Sequence, residues 1–155
     1  MLIAEPKNFF SGDFRIFDDN KEIAFLDSSV WKESAQLKFE NETYEFNREK
    51  SFSGLFRLML KDRTLLKAEK PSAFSNKFEI EFKGAHYTLK KGSVWKREFH
   101  ILKSDRIIGS IKPLGVFTQK TKIDLPENWL PITKIFLFWL VSIIWKRENS
   151  AGGAT

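Results

Sequence analysis

The sequence predicts a mainly β protein, a closed antiparallel barrel of about twelve strands around a central hydrophobic C-terminal α-helix. Three observations lead there. Most of the chain alternates apolar and polar residues with period two, the pattern of strands with one buried face. The pattern recurs in three blocks about 42 residues apart, each long enough for four short strands. The final apolar element is different: it is apolar on every side.

Leu2-Ile-Ala4 supplies a first short strand. Block one starts with Phe14-Arg-Ile-Phe17 and turns at Asp18-Asp19-Asn20. Ile23, Phe25 and Val30 carry the apolar phase onward. Leu37 and Phe39 alternate with Lys38 and Glu40, Asn41-Glu42 turns the chain, and Tyr44 and Phe46 follow. Block two repeats the plan: Leu55 to Leu60, a turn at Lys61-Asp62-Arg63, then Leu65, Leu66 and Ala68. Phe78, Ile80 and Phe82 form the next strand, Gly84 breaks it, and Ala85, Tyr87 and Leu89 return. Block three has Phe99-His-Ile-Leu102, a turn at Ser104-Asp105-Arg106, Ile107 to Ile111, and Thr121 to Leu125. Asp and Asn recur in these turns because their short side chains hydrogen-bond locally and tolerate left-handed backbone.

Trp129 to Trp145 reads as a helix whose one charge is Lys134. Pro131 suits its first turn, and Lys146-Arg147 suits a last turn, where cations oppose the helix dipole. A helix apolar all round is buried in protein or in lipid. The uncharged run from Ile135 to Trp145 is short against the roughly 20 residues a membrane span requires. A barrel of about eight strands is filled by its own side chains, whereas one of about eleven encloses a helix. The expected organisation is one barrel domain over 1–147, with the core helix at about 129–147 and a disordered polar tail at 148–155.

Composition narrows the chemistry. The chain has no Cys, which excludes disulfides, thiolate metal sites and thiol nucleophiles. Sixteen Phe and five Trp against two Tyr point to a wide dry core, since Phe has no polar tip to satisfy. The net charge of +6 is spread in runs of no more than two Lys or Arg. Met1 to Pro6 lacks the basic and long apolar regions of a secretory signal. A cytoplasmic monomer, peripheral at a membrane, is the expectation.

Arg97-Glu-Phe-His-Ile-Leu102, Arg106-Ile-Ile-Gly109-Ser-Ile111, Ile123-Asp-Leu-Pro126 and the apolar helix ending Trp145-Lys-Arg147 follow one another in order. Together with the block pattern they resemble the tubby C-terminal-like superfamily, which includes tubby domains, LURP-one-related proteins and phospholipid scramblases. The resemblance is to bacterial-type members of unknown function and covers nearly the whole chain. It implies a twelve-stranded barrel around a hydrophobic helix. Tubby-like domains bind phosphoinositides through Lys and Arg. No residue of this chain aligns to that site, and the scramblases' cysteine-rich acylation run is absent.

No constellation for catalysis, cofactor binding or metal binding stands out, so no enzyme is expected. His86 and His100 fall on the polar phase of their strands. The glycines are scattered singly and form no phosphate loop. One grouping carries a functional reading. Four looser loops place aromatics beside cations: Trp31 and Lys32, Phe74 and Lys77, Trp95 with Lys96 and Arg97, and Phe117 with Lys120. Such loops suit contact with anionic phospholipid or a membrane surface. Alternatively, they plug the barrel ends, and the chain is a protein-interaction or scaffold domain with no small-molecule ligand. Nucleic-acid binding is the least favoured reading, because it needs a contiguous basic face.

Overall fold

A computed structural model describes residues 1–8, 12–28, 33–50, 54–93, 97–115 and 119–153, with side chains to residue 150. Twelve strands precede one helix: β1 (Leu2–Pro6), β2 (Phe14–Asp18), β3 (Lys21–Ser28), β4 (Ser34–Phe39), β5 (Glu42–Arg48), β6 (Leu55–Leu60), β7 (Arg63–Glu69), β8 (Lys77–Phe82), β9 (Ala85–Lys91), β10 (Phe99–Lys103), β11 (Arg106–Pro113), β12 (Thr121–Asp124) and α1 (Pro131–Gly153). Each strand pairs antiparallel with its neighbours in sequence. β1 closes the ring on β12 through Leu2↔Ile123 and Ala4↔Thr121. The predicted closed barrel with its C-terminal helix is therefore the observed fold.

The repeat has a structural signature. The strands of β2–β3, β4–β5, β6–β7, β8–β9 and β10–β11 are joined by two-residue turns. In each turn the first residue has positive φ: Asp19 (46°), Glu40 (55°), Lys61 (54°), Lys83 (50°) and Ser104 (48°). That backbone matches the right-handed twist of the flanking strands. Every second hairpin also carries a bulge in its second strand. Pairing skips Ile23 in β3, Leu65 in β7 and Ile108 in β11. These three sites lie about 42 residues apart, so the sequence repeat is a threefold repeat of strand geometry.

The bulges correct one expectation. Ile23 and Phe25 do not form the inward face of β3: Ala24, Leu26 and Ser28 are buried, Ile23 is partly buried against the core, and Val30 lies outside the described residues. The extra residue at Ile23 shifts the phase, and Phe25 is half-buried on the outside with the Lys7 ammonium 5.4 Å above its ring. In β7 the skipped Leu65 is exposed, and in β11 Ile107, the residue before the skipped Ile108, is exposed.

Every residue of α1 from Ile132 to Trp145 is buried. Its rings meet inward-facing rings around the barrel. Phe138 packs edge-on to Phe14 of β2, Phe136 to Phe46 of β5, Trp139 to Phe56 of β6, and Trp145 to Phe99 of β10. Small inward residues, Ala4, Ala24, Ala35 and Ala68, leave room for the helix elsewhere on the wall. Trp129, just before α1, packs on Phe82 and Tyr87. Pro131 opens the helix as expected. The end differs: α1 stays helical to Gly153, through most of the stretch expected to be a disordered tail. Lys146 and Arg147 are therefore not in the last turn. The extension is held at its root by an ion pair between Glu148 and Lys91 of β9, at 2.7 Å.

Candidate functional site at the loop end of the barrel

The meander places all five two-residue turns at one end of the barrel. The six longer connections, 7–13, 29–33, 49–54, 70–76, 92–98 and 114–120, share the other. β12 runs toward the turn end, so α1 enters there and its C-terminal part reaches the loop end. The strand ends that flank the four aromatic-basic groupings of the sequence thus lie at a single end of the barrel.

Of the nine candidate residues, Trp31, Lys32, Trp95, Lys96 and Phe117 lie outside the described residues. The other four separate into two groups. Phe74 is 97% exposed, the most exposed large apolar side chain described. Lys77 is exposed beside Glu79, at 3.5 Å. Arg97, in contrast, is part of the roof over the helix. Its guanidinium lies 4.7 Å from the Trp145 ring centroid, and its carbonyl accepts the Trp145 indole N–H at 3.0 Å. Lys120 is half-buried, and its carbonyl accepts the Leu114 N–H at 2.8 Å.

Two clusters beside the emerging helix were not visible in the sequence. In the first, Glu33 accepts from Arg48 through one carboxylate oxygen at 2.8 Å and from Arg147 through the other. Lys70 completes this cluster. It is 5% exposed, covered by a thin layer of chain rather than sunk in the core, and donates to the Ala73 carbonyl at 2.8 Å. Burial lowers its pKa below the usual lysine value; Arg147 and Arg48 add to the shift and Glu33 opposes it. Gly54 makes the arrangement possible, since a Cβ there would stand 2.1 Å from the Lys70 carbonyl oxygen.

The second cluster lies between the helix and the first long connection, where Gly12 and Asp13 meet Lys146. Gly12 has φ of +69°, and a Cβ on it would come within 3.0 Å of the Lys146 Nζ. Lys146 is exposed, yet partial desolvation beside Gly12 lowers its pKa, and the neighbouring Asp13 pulls it back up. A cavity of about 120 Å³ opens beside it, lined by Phe14, Arg97, Gln119, Ser142 and Trp145 among others.

Charge is divided between the ends. Taking each connection with one strand residue on either side, and residues 146–148 of α1, the described loop end holds ten Lys and Arg against six Asp and Glu. The turn end, counted the same way with the β12–α1 connection, holds six against eight. Among the described residues no helix is long and apolar enough to cross a membrane. No family model, no curated protein and no solved structure matches this chain.

Proposed function

We propose that the protein is a non-enzymatic, tubby-like barrel module whose loop end docks on an anionic lipid surface. The observation that carries this reading is the division of charge: among the described residues, the end with the long connections has a surplus of four cations, and the end with the tight turns has a deficit. Cations near an anionic leaflet contribute about 1 kcal/mol each, so a surplus of four supplies about 4 kcal/mol at most. Phe74, exposed on the same end, adds an apolar wedge whose burial contributes roughly 1.5–3 kcal/mol. The reading excludes chemistry in the lumen, because the helix fills it.

The test is flotation of the full chain with phosphatidylcholine vesicles and with vesicles containing phosphatidylserine, at low and moderate salt. Binding to the anionic vesicles alone, lost as salt shortens the Debye length, supports the proposal. Phe74→Ala should weaken that binding about tenfold. Lys77→Glu should weaken it as well, while Lys21→Glu at the turn end leaves it unchanged. Absence of flotation in every condition, or equal loss from Lys21→Glu, overturns it.

A further inference from the structure

One seam of the barrel is only half closed. β7 and β8 have seven and six residues, yet their ladder holds two pairs, Ala68↔Ile80 and Glu69↔Glu79. The pairs on either side, β6–β7 and β8–β9, hold six each. Continued in register, Lys67 would face Glu81 and Leu66 would face Phe82. Instead the strands part toward the turn end.

The threefold repeat supplies two controls. The equivalent seams β3–β4 and β11–β12 follow the same kind of bulge, and both stay paired. The residue just after the bulge is Ala24 in β3 and Gly109 in β11, but Leu66 in β7. At Gly109 even a Cβ would stand 2.6 Å from the Asp124 carbonyl oxygen of β12. Both seams that stay paired carry a small residue at this position, whereas the seam that parts carries Leu66, buried against the lumen.

A groove of about 390 Å³ follows the parted seam on the outer surface. Thr64, Leu65, Lys67 and Glu69 form its β7 wall, and Glu79 and Glu81 its β8 wall. On a protein of net charge +6 this groove is acidic, three carboxylates to one ammonium. Glu69 and Glu79 stand directly opposite each other, a like-charge cross-strand pair that costs stability. Glu79 is held ionised: burial works against it, but hydrogen bonds from Thr88 and His86 outweigh burial and lower its pKa. Glu81 is almost fully exposed, and Leu65 offers an apolar contact between the charges.

We propose that this seam binds an extended basic peptide segment of a partner protein, added as a strand along β7 from Thr64 to Lys67. A strand edge whose ladder stops short is a template for main-chain pairing, and alternate side chains then set specificity. The segment spans about five residues at roughly 3.3 Å each. It carries Lys or Arg at the outward positions, facing Glu69, Glu79 and Glu81. Its inward positions are small, because Leu66 already occupies the lumen side.

The probe is a fluorescent peptide of about seven residues alternating Lys with Ala, titrated against the full chain by anisotropy. Saturable binding is expected, with added hydrogen-exchange protection at residues 64–67. Reversal of the exposed carboxylates, Glu69→Lys with Glu81→Lys, should weaken it at least about tenfold. So should backbone N-methylation of the peptide, which keeps its charge but removes its ladder donors. Failure of the peptide to bind, binding unchanged by N-methylation or by the reversed variant, or protection away from β7 would each overturn the proposal.

Discussion

At the scale of single residues, the loop end is held by contacts that leave little tolerance. Gly54 is the sharpest case. An added Cβ meets backbone at 2.1 Å, not the yielding tip of a side chain, so the β5–β6 and β7–β8 connections must separate. Gly54→Ala should destabilise the fold by about 1–3 kcal/mol, seen as a lowered denaturant midpoint at unchanged slope. Lys70 gives a prediction in pH. Its folded-state pKa lies below the ordinary 10.5, so the unfolded chain binds the proton more tightly. Stability should therefore rise with pH from Lys70's depressed value up to 10.5, and be lower below that window. Lys70→Met keeps the unbranched shape and removes the desolvated charge beside Arg48 and Arg147. It should add about 1 kcal/mol near neutral pH and abolish the alkaline rise in a urea-melt series. The sequence places Lys70 just past Ala68, the last residue of an apolar run. It did not show the burial, because the groups around Lys70 arrive from Arg48, Glu33 and the distant Arg147.

At the scale of elements, the turns and bulges show how much of the fold was legible. Turn positions could be read directly, because Asp-Asn, Lys-Asp and Ser-Asp pairs interrupt a period-two pattern. The bulges could not, because an extra residue in a strand leaves no compositional trace; this is why Phe25 faces out although the period-two pattern puts it in the apolar phase. Glu40 and Lys61 occupy left-handed backbone without being Gly or Asn, at a cost of roughly 1 kcal/mol each. Part of that gain is offset by the greater freedom of Gly in the unfolded chain. Glu40→Gly combined with Lys61→Gly should then raise stability by about 1 kcal/mol, a shift of about 2–4 °C in Tm by calorimetry. The helix is the counterpart: its all-apolar run gave its burial at once, while its polar continuation to Gly153 follows from contacts such as Glu148 with Lys91.

For the molecule as a whole, the helix is the core and the barrel its shell, so neither is expected to persist alone. Leu140 is fully buried midway along α1. Leu140→Asp places an unpaired carboxylate in the lumen, costing several kcal/mol, and should unfold the protein outright by circular dichroism. A folded, vesicle-releasing Leu140→Asp variant would instead mean that the helix leaves the barrel to anchor it. The division of charge between the two ends also belongs to this scale. A net charge of +6 says nothing about where the cations lie. Antiparallel pairing sends successive connections to opposite ends, and long and short connections alternate along the chain, so the loop-end Lys and Arg collect together.

The sequence by itself determined the strand pattern, the turn sites, the threefold repeat and the central helix. These follow from local periodicity and from the need to bury a helix apolar on every side. Only the tertiary structure decided that Glu33 joins Arg48 to Arg147, that Phe25 faces out, and that β7 and β8 part beside Leu66. Each of these depends on register and on how closely segments far apart in the chain approach. Side-chain bulk sets that approach only once the barrel has closed.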